Sequence, residues 1–220
     1  MWTLTRSIKK FFIMKGSKKM KARWLLGIIM LCSVLSAATC DDPIEIACLG
    51  NSITESGYPA ELQAILDSEE TQAYDVTPYS EWGAGILRIQ EIAQTIPDTV
   101  EYVVVLAGYN DCMWNPPSMV IARYESLFNY LRGRGFVIIL VEHYDWAGYV
   151  DYPGPECSAA VNDWLYNQMH LYPSAVRAVV DLSSMGDGVN LLPAYDSGDG
   201  LHPNDDGDYK LAREIKDQGI

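Results

Sequence analysis

Basic residues are scarce where they would matter for a polyanionic partner. The 220-residue chain carries 16 Lys and Arg against 29 Asp and Glu, a formal charge of −13. Half of the basic residues (Arg6, Lys9, Lys10, Lys15, Lys18, Lys19, Lys21 and Arg23) fall before residue 40, with no acid among them. The remainder holds 8 basic against 29 acidic residues, a formal −21. Such a surface repels phosphate backbones and anionic headgroups, and it offers no basic stripe, which excludes nucleic acid as a partner. Cysteine is sparse too. Of five, Cys32 lies in an early apolar run, and Cys40, Cys48, Cys112 and Cys157 are too few and too irregular for a disulfide framework or a zinc site with paired ligands. Cys48 falls in an apolar strand and reads as a small core residue; Cys112 and Cys157 fall in expected loops and are candidates to pair in an oxidising compartment. No apolar run approaches the ~20 residues that a spanning helix needs. Internal repeats and low-complexity stretches are absent as well.

What is present begins with an exported start. The basic stretch leads into an apolar run, Trp24 to Leu35, and then into Ser36, Ala37 and Ala38, the order of a secretory signal's three regions. Residues 1–39 are therefore expected to be a signal region, with Met20 as an alternative first residue because it opens a compact signal by itself. Cys40, followed by Asp41 and Asp42, resembles the lipidated cysteine of bacterial lipoproteins, except that Ala37 stands where Leu is usual. Lipidation at Cys40, plain cleavage near Ala38 and retention of the run as an uncleaved anchor remain three readings. Residues 40–220 are expected to form one domain around a single core.

Along that domain, short apolar runs alternate with segments of helical period. Strands are expected at Ile44–Leu49, Tyr74–Thr77, Tyr102–Ala107, Phe136–Val141 and Val176–Leu182. The third and fourth are apolar at nearly every position, as central parallel strands buried on both faces are. Between them, Pro59 suits a first helical turn ahead of Leu62, Ile65 and Leu66. Val120, Tyr124, Leu127 and Leu131 form a second stripe that should end at Gly133, and Val161, Trp164 and Leu165 a third. The pattern predicts a three-layer α/β/α sandwich with a mostly parallel five-stranded sheet, in which sites form where the strands end.

Three strand ends hold polar groups. The first strand runs into Gly50-Asn51-Ser52, equally readable as a turn with an N-capping serine. The third ends in Gly108-Tyr109-Asn110-Asp111, where Asn110 either points its amide across the crevice or closes an Asx turn. Asp199-Gly200-Leu201-His202 precedes the last helix, and an aspartate three residues before a histidine can fix its tautomer and support the imidazolium. Of the other two histidines, His143 is a candidate for the pocket and His170 a surface or capping residue.

Taken together, GNSIT (Gly50 to Thr54), a glycine in SEWGAG (Ser80 to Gly85), GYND (Gly108 to Asp111) and DGLHPN (Asp199 to Asn204) resemble the four blocks of the SGNH, or GDSL-like, hydrolases. The resemblance spans Ile44 to the last helix, and it implies a flavodoxin-like fold and serine esterase chemistry. Ser52 would be the nucleophile, His202 the general base and Asp199 its orienting partner. Ser52, Gly85 and Asn110 would hold the oxyanion, with Gly83 competing for the place of Gly85. Two positions depart from the family pattern: Asn51 replaces the usual Asp, and Ala84-Gly85 stands where Ser-Gly is common.

The resemblance implies no metal and no cofactor. Asn51, Trp82, Tyr109, Trp114 and His143 are expected to touch substrate, on an aromatic rim that also takes in Tyr144, Trp146, Tyr149 and Tyr152. Export and that rim point to small acyl esters, acetylated carbohydrates first. A catalytically silent carbohydrate-binding module and an acyltransferase are the alternatives. A membrane contact is expected only through a lipid at Cys40, and nothing in the sequence specifies an oligomeric state.

Overall fold

The computed structural model describes residues 42–144, 146 and 154–220. The signal region, Met20, Cys40, Tyr149 and Tyr152 lie outside them. Strand β1 (Ile44–Gly50) is followed by two short-spaced helices, α1 (Ser52–Ser56) and α2 (Tyr58–Glu69). Then come β2 (Tyr74–Ser80), α3 (Ile86–Ala93), β3 (Tyr102–Leu106), α4 (Tyr109–Cys112) and α5 (Pro117–Arg134). The chain closes with β4 (Val137–Val141), α6 (Gly154–Leu171), β5 (Val176–Val180), a 3-10 turn (Ser183–Met185) and α7 (Asp205–Gly219).

All four strand pairings are parallel, in the order β2-β1-β3-β4-β5. The VVVL run of β3 and the IILV run of β4 are buried because helices cover both faces. On one face α2 packs against α7; on the other α3 packs against α5, and α5 against α6. Chain order reverses direction between β1 and β3, so their carboxyl ends diverge into a crevice. Both of the first two polar strand ends, at Asn51 and at Tyr109, open onto that crevice.

Expected strands and observed strands agree to within a few residues, with two instructive differences. The β2 strand continues to Ser80 through Pro78, which an edge strand tolerates because one side of it needs no ladder donor. Helix α5 does not stop at Gly133 but runs to Arg134 and ends at Gly135, whose φ of 84° is the left-handed cap conformation. Cys112 and Cys157, expected in loops, stand on α4 and α6 and form a disulfide. Among the described residues no helix is long and apolar enough to cross a membrane.

Candidate active site

Ser52 opens the helix that follows the end of β1 at Gly50. A Cβ at Gly50 would lie 2.0 Å from Thr54 Oγ1 and 2.5 Å from the Leu106 carbonyl, so glycine alone permits this close passage. Asn51 then caps α1: its side-chain oxygen accepts the Ile53 N–H at 3.1 Å. Ser52 is thereby fixed as the first residue of the helix.

From the other side of the crevice, the turn after β5 delivers His202. Ser52 Oγ and His202 Nε2 are 2.9 Å apart, and His202 Nδ1 lies 2.6 Å from Asp199 Oδ2. With the Asp199 carboxylate accepting the Nδ1 proton, the neutral ring leaves Nε2 to accept from the serine hydroxyl. Asp199 Oδ1 accepts the N–H groups of Leu201 and His202 at 2.9 and 2.8 Å. Partial burial raises the Asp199 pKa, but these N–H donors and the His202 ring outweigh it and hold the carboxyl below its ordinary value. Asp199 is thus kept ionised beside the ring. The Tyr144 hydroxyl donates to the Leu201 carbonyl and steadies this turn from below.

Asn110 comes from α4, just past the end of β3. Here too a glycine is required: Gly108 has φ of 100°, and a Cβ there would sit 2.8 Å from the Tyr124 ring and 3.1 Å from that of His143. One N–H of the Asn110 amide donates to the Ala84 carbonyl at 3.0 Å. The second is left for a ligand.

Ser52, Asn110, Asp199 and His202 line one cavity of about 260 Å³. Its apolar walls are Trp82, Met113, Trp146 and Leu201, with Gly83, Gly200 and Asn190 completing the mouth. Trp82 is 62% exposed and stands 5.4 Å from the His202 ring, centroid to centroid. The sequence singled out neither Met113 nor Asn190. Met113 is one helical turn beyond Tyr109, but a lone methionine carries no signal; Asn190 belongs to a loop without periodicity.

Several expected contacts are placed elsewhere. Tyr109 and His143 are buried and stack on each other at 4.0 Å. The His143 ring spans from the Ala107 carbonyl to the Ser158 hydroxyl, and burial depresses its pKa to about 4, so it is a neutral structural ring. The Tyr109 hydroxyl accepts the Tyr144 N–H at 2.7 Å. Asn51 is buried as a cap, and Trp114, though exposed, is off the cavity wall. A Cβ at Gly85 would face the Asp111 carboxylate at the start of α3, and Gly83 lies on the cavity wall, so both glycines of this loop stand close to the site. The physical reason is common to these cases: position at a strand end does not say which side of the chain turns inward.

A family model described as the GDSL-like Lipase/Acylhydrolase family matches residues 48–209. Among solved structures, a lipase/acylhydrolase from Enterococcus faecalis aligns with a TM-score of 0.65 at 15% identity, over 78% of this chain and 93% of its own. A GDSL-like lipase from Bacteroides thetaiotaomicron aligns with a TM-score of 0.63 at 17% identity, over 79% and 86%. A lipase from a goat rumen metagenome gives 0.62 at 13% identity, over 79% and 96%. At such identities the likeness is one of fold. No curated protein matches the sequence.

Proposed function

The chain belongs to the GDSL-like lipase/acylhydrolase family, and from that premise we propose that it is an exported serine ester hydrolase acting on small acyl esters, acetylated carbohydrates above all. The observation that carries this reading is the unbroken run from Ser52 Oγ through His202 to Asp199, at 2.9 and 2.6 Å, at the mouth of a cavity that also holds the Asn110 amide. In the acylation step Ser52 Oγ bonds to the ester carbonyl carbon while His202 Nε2 takes its proton. The same proton passes to the leaving alcohol as the carbon–oxygen bond breaks. Water, deprotonated by His202, then bonds to the acyl carbon; the bond to Ser52 Oγ breaks, His202 returns the proton to that oxygen, and the acid product leaves as a carboxylate after losing its own proton to solvent. Negative charge on the tetrahedral oxygen is met by the Ser52 N–H, a backbone N–H of the Gly83–Gly85 loop and the second N–H of Asn110.

Size and placement support the choice of substrate. A cavity of about 260 Å³ is at or below the low end of ligand pockets, and its Met113 and Trp146 walls suit a short acyl group. Because His202 protonates the leaving oxygen, the alcohol must lie on the His202 side, where the exposed Trp82 face offers a surface for a sugar ring. Export is supported by the signal-like residues 1–39 and by the Cys112–Cys157 disulfide, a bond of oxidising compartments.

A fluorophosphonate probe should leave one covalent adduct, found by peptide mass spectrometry on Ser52. The kcat/KM for p-nitrophenyl acetate should exceed that for the octanoate. An adduct at another residue would overturn the site, and a preference for octanoate would overturn the short-acyl assignment.

A further inference from the structure

Asp111, the residue after Asn110, is only 3% exposed. We propose that Asp111, held by Arg123, is a positioning residue that locks the Trp82–Ile86 loop and the Asn110 side chain into one fixed relation. The proposal rests on the esterase reading above, whose oxyanion donors these groups are.

Both oxygens of the carboxylate are committed. Oδ2 accepts the Ile86 N–H at 2.7 Å, one of the first-turn donors of α3 that the helix itself leaves without a partner. Oδ1 accepts from Arg123 Nη1 on α5 at 2.5 Å. Its neighbour Asn110 meanwhile donates to the Ala84 carbonyl at 3.0 Å. Two consecutive residues of α4 therefore grip the same short segment from both sides, one at the Ala84 C=O and the other at the Ile86 N–H. Between these points Gly85 is pressed against the grip: a Cβ there would lie 3.0 Å from Asp111 Oδ2.

Stability alone is a poor reason for such an arrangement. An ion pair whose carboxylate is buried gains little over apolar residues of the same volume, because that charge has left water. What a carboxylate does supply is direction, since it fixes the N–H of one element and the guanidinium of another at hydrogen-bond distance. The Gly83–Gly85 loop and the amide of Asn110 are carried on different elements, after β2 and after β3. Asp111 joins these elements through the Ile86 N–H, and Arg123 ties the joint to α5. Misplacement of a catalytic group by ~1 Å costs on the order of 100-fold in rate.

The test compares wild type, Asp111→Ala, Asp111→Asn, Arg123→Met and the double variant Asn110→Ala/Asp111→Ala. Turnover of p-nitrophenyl acetate is measured per Ser52 reactive toward the phosphonate, beside the melting temperature. Asp111→Ala should lower kcat about 100-fold with KM within about threefold of wild type. Asp111→Asn should recover most of that loss, because its side-chain oxygen still accepts the Ile86 N–H, and Arg123→Met should lower kcat in the same direction. The double variant should lose less than the product of the single losses, because both act through the oxyanion.

A drop in melting temperature with kcat per reactive serine unchanged would overturn the proposal and leave Asp111 a packing residue. Multiplicative losses in the double variant would overturn it as well. A wild-type protein that neither turns over ester nor reacts at Ser52 would instead overturn the esterase reading itself.

Discussion

Asn51 stands one residue before the proposed nucleophile, where its side-chain oxygen caps α1 through the Ile53 N–H. Asn and Asp serve this capping role about equally, since each places an oxygen at the same distance from the backbone. The departure from the family's aspartate therefore leaves Ser52 where it is, and Asn51→Asp should leave kcat/KM close to wild type. Asn110 is different, because in the proposed reaction its amide would meet developing charge. Removing one oxyanion donor typically costs about 100- to 1000-fold in turnover. Asn110→Ala should show that loss in kcat with little change in KM, and a loss confined to KM would remove it from the oxyanion hole. At this scale the sequence was most legible where the chemistry is local. Asp199 and His202 are three residues apart on one turn, so their contact follows from spacing. Tyr109 and His143 were misplaced at the crevice because the stacking that buries them joins residues from two different strand ends.

At the level of elements, β3 and β4 are readable from their continuous apolar runs, while the stripe of α3 spans only two turns and is too short to stand out. Its eight residues bury Ile86, Ile89 and Ala93, and its start is set by a carboxylate 25 residues away, which no local pattern encodes. The Cys112–Cys157 bond ties α4, which carries Asn110, to α6 across a separation of 45 residues. Cross-linking a loop of that length is worth on the order of 4 kcal/mol. Cys112→Ser should lower the urea-unfolding free energy by about 2–4 kcal/mol and reduce kcat by loosening α4; unchanged stability would mean that the bond is idle.

The end of β4 sets up a pH dependence. Glu142 accepts the Leu182 N–H at 2.9 Å and the Tyr166 hydroxyl at 3.1 Å, yet burial, with the nearby Asp181 charge, pushes its pKa from 4.5 to about 7. Burial likewise raises Asp208 from 3.8 to about 6. A carboxyl with a raised folded pKa contributes stability that is fully present below its unfolded pKa and lost as pH rises through the folded one. His143, depressed from 6.5 to about 4, acts in the opposite sense: its contribution is present above 6.5 and lost as pH falls toward 4. The Glu142→Gln variant keeps an acceptor for Leu182 but cannot ionise. Its melting temperature should match wild type near about pH 4.5 and exceed it at about pH 8. A constant difference across that range would contradict the assignment.

For the molecule as a whole, the order β2-β1-β3-β4-β5 brings residues 52, 110 and 202 to one crevice although 150 positions separate the first from the last. Alternation of strand and helix made the architecture legible, since parallel connections are right-handed and leave few topologies. The acidic domain, with a formal −21 beyond the basic start, disfavours polyanionic substrates. What sequence left open was the fine aim of the loops, such as the one that carries Gly83 on the cavity wall and Gly85 two residues on. The most direct test of the central claim is release of p-nitrophenol from p-nitrophenyl acetate by wild type, Ser52→Ala and His202→Ala, with folding of each checked by circular dichroism. The account predicts turnover by wild type that disappears in both variants; turnover that persists in either folded variant would contradict it.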